Sequence, residues 1–336
     1  MSSIIKWGVL GTSFISDVMA NAIAEDEFSE VYSVAGRSLE PLKTFAEKYS
    51  VSRVFTDFDA LIQDPEVDII YIALPNHLHT DYIIKAAQAG KSILCEKSLS
   101  VDMETTVAAL AAVEEHNVFF QEGLMYLAHP LAQAIYKKLQ SGIIGDIHSI
   151  RGQYCAAISQ FVNPASKGAL YNLGCYPTSL MHLVLQTVFG NEIFHNYKVM
   201  ASGRRSLDGN ICETTGLFEF IHPQKKQIIQ CHLHTAEDYG LYSGFTILGS
   251  KGYIELGSNP WLPETKNNLL RFAEYEQDVI EEKISAIGDG FAYQVRSVRE
   301  SLTKGLTVSQ LPMARPSDSH TIMRLLTDWE QAVPSL

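Results

Sequence analysis

Along the first third of the chain, short apolar runs alternate with amphipathic stretches. IKWGVLG reads as a strand, Phe14 to Ala24 as a helix, EVYSVAG as a strand and LEPLKTFAEKY as an amphipathic helix. RVF is a short strand, and FDALIQ a helical stretch. VDIIYIAL is a continuous run of the kind buried on both faces of a parallel sheet. TDYIIKAAQAG is a helix that ends at Gly90 as its C-cap. KSILCEK, ETTVAALAAVEEH and NVFFQEG continue as strand, helix and strand. Strand and helix alternating at this spacing predict right-handed crossovers and a doubly wound parallel sheet.

The pattern changes after a helix near Pro130 to Gly142. IGDIHSIRGQYCAA reads as a long strand and Gly174 to Phe189 as a helix. NYKVMASG, ETTGLFEF, QIIQCHLH, GFTILGS, GYIELG and LLRFAEY then follow as strands with few helices between them. Such a series predicts an open, mostly antiparallel sheet. Two helices, Phe291 to Thr303 and Ser317 to Ala332, end the chain. The fold class is therefore α/β: residues 1–122 form a Rossmann-type domain and residues 123–336 an α/β domain, with the final helices packing back on the first. One sheet face left without helices is a surface for a second subunit, which implies a homodimer or a dimer of dimers.

Composition narrows the classes. The chain has 336 residues, 46% of them hydrophobic and 19% charged, enough to bury a core in each of two domains. A formal charge of −12 argues against nucleic acid or an anionic membrane as the main partner and leaves a small-molecule substrate. No apolar run approaches the roughly 20 residues that span a bilayer. The N-terminal segment lacks the basic and apolar regions of a signal peptide. Cys95, Cys155, Cys175, Cys212 and Cys231 are odd in number and form no C-x-x-C pair, so reduced thiols in a cytoplasmic protein are expected.

The first strand leads into Gly11-Thr12-Ser13-Phe14-Ile15-Ser16. A dinucleotide fingerprint places three small residues here: for a tight turn, for backbone approach to the pyrophosphate, and for close helix packing. Only Gly11 is a glycine; Ser13 and Ser16 take the other two positions. The strand–turn–helix context and the free N–H groups at the helix start still favour phosphate binding. At the end of the second strand, where an acid would bond the ribose 2′-OH of NAD, stand Arg37 and Ser38. Arginine pairs with a 2′-phosphate, so NADP is favoured, with NAD as the alternative.

Three segments carry a specific resemblance: Leu74-Pro75-Asn76-His77-Leu78-His79, Glu96-Lys97-Ser98, and Gly174-Cys175-Tyr176-Pro177. In order and spacing the chain resembles the glucose–fructose oxidoreductase, inositol dehydrogenase and rhizopine-catabolism family over nearly its whole length. Its tyrosine motif is similar to that of the dihydrodiol dehydrogenase branch. The resemblance implies hydride transfer between NAD(P) and a hydroxyl or carbonyl carbon of a sugar, polyol or dihydrodiol. It places Lys97 beside the nicotinamide and the substrate oxygen. Leu74, Pro75, Asn76, His79 and Glu96 fall along the cofactor, and Asn172 and Tyr176 in the second-domain motif. Several residues depart from the pattern: Ser98 stands for the usual proline, Asn172 for the usual aspartate, and Leu127 and Ala128 stand where bulkier or basic residues are common.

Hydride transfer from an alcohol needs a base, and to a carbonyl an acid. A tyrosine titrates near 10 when unperturbed, and a nearby ammonium lowers that value. Tyr176 is accordingly the expected general acid/base, with Lys97 orienting the substrate oxygen and tuning the tyrosine; Lys97 as the proton donor is the alternative. His232 and His234 share a strand face but lack a third ligand, so no metal is expected. The competing reading is a dinucleotide-binding regulator or redox sensor weakened in catalysis by Asn172. A glycosidase using bound NAD as a transient oxidant is opposed by Arg37.

Overall fold

The computed structural model describes residues 4–222 and 224–334. The described chain divides into two compact units. The first runs to Met125 and takes in Phe291–His320; the second comprises Tyr126–Gly290 and Thr321 onward.

In the first unit, β1 (Ile5–Leu10), β2 (Ser29–Ala35), β3 (Arg53–Phe55), β4 (Ile69–Ile72), β5 (Ser92–Cys95) and β6 (Phe120–Glu122) form one sheet in the order β3-β2-β1-β4-β5-β6. All five pairings are parallel. This is the doubly wound order in which the sheet reverses beside β1 and β4. The connecting helices are α1 (Phe14–Glu25), α2 (Leu39–Lys48), α3 (Phe58–Ile62), α4 (Asn76–Gln88) and α5 (Met103–Glu115). Trp7, Val9, Met19, Ile23, Val34, Phe45 and Tyr71 share a buried cluster with Val295 and Val298 of a late helix, residues 290–303. The apolar run around Ile69 has only four residues in strand, because the sheet ends at Ile72 and the chain turns there. Gly90 has φ +68° just past α4, the left-handed conformation that suits glycine after a helix.

The second unit opens with α6 (Pro130–Gln140), capped by His129. An eight-stranded sheet follows: β7 (Ile147–Ala156), β8 (Tyr197–Arg205), β9 (Ile211–Ile221), β10 (Ile228–Ala236), β11 (Leu241–Gly249), β12 (Gly252–Leu256), β13 (Asn268–Glu274) and β14 (Ile280–Ile284). Its order is β14-β13-β12-β11-β7-β10-β9-β8. Every pairing is antiparallel except β7 with β10. α7 (Cys175–Phe189) lies between β7 and β8 in the chain and packs on β7 and β10. α8 (Gly290–Thr303) and α9 (Pro316–Ala332) end the chain. Trp329 of α9 is wholly buried; its ring sits edge-on to Phe218, and its Nε1 donates to Thr214 Oγ1 at 3.1 Å. Opposite it, a Cβ on Gly216 would stand 2.7 Å from the Trp329 ring, so this strand position has room only for glycine.

Candidate active site

Four strand ends at the C-terminal edge of the first sheet carry the residues singled out above in the first unit. This is the edge at which open α/β sheets bind ligands. Gly11 follows β1 at φ +102°, and a Cβ there would meet Ala73 O at 2.8 Å. Only glycine satisfies both conditions. Ser13 and Ser16 take the other two fingerprint positions by forming a capping box on α1. Ser16 Oγ accepts from Ser13 N at 3.1 Å, and Ser13 Oγ from Ser16 N at 3.5 Å. The N–H groups of Phe14 and Ile15 have no intrahelical acceptor, as in any first turn, so they remain for a ligand. Phe14 is exposed, while Ile15 packs on the core cluster. Thr12 lies against Gly36, where an added Cβ would sit 3.3 Å from its Cγ2. Arg37 and Ser38 are exposed after β2, and Arg37 forms no ion pair among the described residues. Ser38 is the N-cap residue of α2 but makes no side-chain cap bond.

Beyond β4, Leu74 and Pro75 lead into α4, whose N-terminus has no side-chain cap. Asn76 is buried, and its Nδ2 has no hydrogen-bond partner among the described residues. A buried donor without an acceptor is costly unless a ligand completes it. His79 has no exposed surface. Its Nε2 lies 2.7 Å from Leu74 O and its Nδ1 3.0 Å from Ser98 O. The ring therefore ties the loop after β4 to the turn after β5 from beneath. Burial pushes its pKa down to about 4, against the pull of those carbonyls.

The Lys97–Ser98 peptide is cis. Lys97 is half-buried, above a floor of buried acids. Glu96 accepts from Tyr71 Oη at 2.7 Å, and burial raises its pKa. Glu122, which the sequence reading did not single out, accepts from Leu99 N at 2.9 Å and from Ser319 Oγ at 2.6 Å. Burial first, and the nearby Glu96 after it, push its pKa up to about 7. Its register opposite Cys95 places it at the neighbouring strand end, the one signal that an acid closing NVFFQEG offered.

In the second unit Asn172 lies in a single π-helical turn, Leu170–Gly174, that runs directly into α7. Such turns widen a helix by one residue and recur at functional sites. Tyr176 is almost wholly buried in an aromatic cluster. Its ring centroid lies 5.9 Å from Tyr126, 5.3 Å from Tyr154 and 6.1 Å from Trp261. Tyr126 Oη and Ser179 Oγ both donate to Tyr176 O, at 3.2 and 3.0 Å. Asn172 is buried as well, and its Nδ2 donates to Glu237 Oε2 at 2.7 Å. Glu237 is a second residue that the sequence reading missed.

Of the histidines, His182 is buried and stacked on Phe194 at 4.5 Å. His232 is exposed, and His234 bonds Thr215 and Tyr239. Among the described residues no three His, Cys, Asp or Glu side chains are grouped to hold a metal ion, and no helix is long and apolar enough to cross a membrane. All five cysteines are buried and unbridged.

Gly11 in the left-handed region, two helix N-termini open to a ligand and the unsatisfied Asn76 amide fit a dinucleotide. Sequence comparison agrees. The oxidoreductase family with an NAD-binding Rossmann fold matches residues 5–124. An uncharacterised oxidoreductase of Rhizobium meliloti is 34% identical over 187 residues, 54% of this chain and 56% of that protein. Trans-1,2-dihydrobenzene-1,2-diol dehydrogenase of Xenopus laevis is 28% identical over 332 residues, 96% of each chain. Among solved structures, the 3-ketoreductase KijD10 of Actinomadura kijaniata in complex with NADP shares the fold at TM-score 0.81 and 22% identity, over 98% of both chains. Levoglucosan dehydrogenase, in complex with NADH and levoglucosan, matches at TM-score 0.79 and 18% identity, over 98% of this chain and 97% of that one. Residues 5–124 thus match the NAD-binding Rossmann fold of the glucose–fructose oxidoreductase, inositol dehydrogenase and rhizopine-catabolism family of oxidoreductases, and the chain as a whole is similar to dihydrodiol dehydrogenase.

Proposed function

We propose that the chain is an NADP-dependent dehydrogenase or reductase acting on a hydroxyl or carbonyl carbon of a sugar, polyol or dihydrodiol. The observation that carries this reading is the half-buried Lys97, set above buried Glu96, Glu122 and Tyr71 at the ligand-binding edge of the sheet. The full-length likeness to dihydrodiol dehydrogenases supports the substrate class. In this reading the N–H groups after Gly11, together with Thr12, Ser13, Phe14 and Ile15, hold the phosphates. Arg37 and Ser38 hold the 2′-phosphate. Leu74, Pro75, Asn76 and Glu96 flank the nicotinamide end, and His79 fixes their loops from below. A nicotinamide held by these residues would supply the hydride chemistry. The chain's own part is to move the proton and fix the oxygen. Tyr176 Oη gives or takes the proton, Lys97 Nζ hydrogen-bonds the reacting oxygen, and Asn172 orients the substrate.

The same reading includes self-association through the second unit's sheet, which leaves Met200, Ile228 and Tyr242 at least half exposed. A reducing cytoplasm suits five buried thiols.

The test is a fluorescence titration with NADPH and NADH, followed by single-turnover oxidation of bound NADPH over a panel of aldoses, ketoses and diones. Lys97→Met and Tyr176→Phe should each lower turnover at least about 100-fold while NADPH still binds. Full turnover in both variants, with NADPH bound, would sink the assignment. NADPH binding without turnover on any carbonyl would favour the regulator reading that Asn172 raises.

A further inference from the structure

The buried carboxyl of Glu237 has no part in the mechanism above, yet it contacts one of its residues. Glu237 directly follows β10, 4% exposed, and its backbone is fixed on both sides. Its N–H donates to Cys212 O at 2.9 Å, and its carbonyl accepts from Ile158 N at 2.8 Å and Ser159 N at 2.9 Å. The same strand end holds the π-helical turn, through Thr235 Oγ1 to Ala169 O at 3.4 Å. Glu237 Oε2 then takes the Asn172 amide at 2.7 Å.

A side-chain amide can present its two ends either way round, and the partner decides which. A carboxylate only accepts, so Glu237 fixes Nδ2 toward itself and turns Oδ1 the other way. The π-helical turn thereby shows an acceptor oxygen where the family pattern has an aspartate, while the carboxyl itself stands one residue layer behind. The geometry points to Glu237 as a positioning residue for the Asn172–Tyr176 turn, one that replaces from β10 the carboxyl absent at residue 172. This rests on the assignment of that turn to the substrate site. A glutamine would bond Asn172 with less desolvation cost but can present either end, so the acid supplies a defined orientation. Glu237 shares its cleft with Asp208, Asp238, Arg204 and Arg205; burial first, and the two aspartates after it, raise its carboxyl pKa, and Asp238 pairs with Arg204 at 2.9 Å.

Three variants test the assignment: Glu237→Ala, Asn172→Asp, and the double exchange Asn172→Asp/Glu237→Gln. Each is measured for NADPH affinity, melting temperature, and kcat and KM against pH on the best carbonyl of the panel. NADPH affinity should stay within about twofold throughout, since the first unit is untouched. Glu237→Ala should lower kcat about tenfold or more. Asn172→Asp sets two carboxyls against each other, so kcat should fall and its pH profile should gain a step near neutrality. The double exchange rebuilds an amide–carboxylate bond in the opposite direction. It should return kcat to within about threefold of the parent and remove the added step. A double variant no better than Asn172→Asp, or Glu237→Ala with the parental kcat and profile, overturns the proposal. If the parent itself turns over no carbonyl, the function proposed above fails separately. The pair is then judged by melting: Asn172→Asp must melt lower as pH rises past 6, and the double exchange must recover, or the proposal falls.

Discussion

Glutamine in place of Glu122 isolates the cost of an acid held in the core. Glu122 is 2% exposed, and burial pushes its carboxyl up to about 7. In the unfolded chain it would titrate near about 4.3. Between those two values the folded chain binds a proton that the unfolded chain has released, so stability falls as pH rises through this window. At about 1.4 kcal/mol for each pH unit the full loss is about 4 kcal/mol, complete above neutrality. Glu122→Gln should escape it. The amide oxygen still accepts from Leu99 N, and the amide nitrogen now donates to Ser319 Oγ. His79 works in the opposite sense. Its pKa is held at about 4, so its contribution is lost as pH falls from about 6.5 toward 4, which flattens the parent's own profile. The informative quantity is therefore the difference between variant and parent. Thermal melts of both from pH 5 to 8.5 should lie closest near pH 5 and separate steadily, the gap widening by on the order of 6 °C in favour of the variant by pH 8. Parallel profiles, or a variant that melts lower at pH 8, would refute the argument.

Gly216→Ala should destabilise by about 1–3 kcal/mol in urea melts, because the new methyl meets the Trp329 ring at 2.7 Å. Arg37→Ala should weaken NADPH about 10- to 100-fold and leave NADH unchanged, read by the same fluorescence titration. His79→Ala should cost about 3 kcal/mol, since it removes a wholly buried ring and both of its carbonyl contacts; a loss under about 1 kcal/mol would deny it the tying role.

What the sequence disclosed was what local spacing encodes. Gly11, the alternating strands and Gly90 each answer to a rule about turns, buried strands or helix ends, and each stands where those rules place it. β14 escaped because IEEKI is an edge strand with three charged residues, so no apolar run marks it. The parallel pairing of β7 with β10 is hidden in strands that read alike either way. The candidate site could be proposed from the sequence where a motif is contiguous, as at Leu74–His79 and Glu96–Lys97. It was not legible where partners come from far along the chain. Glu122 meets Ser319 across 197 residues, and Asn172 meets Glu237 across 65. His79 shows a different limit: its place in the motif suggested a cofactor contact, and only the fold shows its two ring nitrogens lying against the carbonyls of Leu74 and Ser98.

The division of the chain's last segment sets an order on biosynthesis. Val295 and Val298 complete the first unit's core, while Trp329 fills the second unit's sheet face above Gly216. Neither core can close until the C-terminal helices leave the ribosome. During synthesis both hydrophobic surfaces therefore stay open until α8 and α9 have emerged, later than in a protein whose domains follow one another.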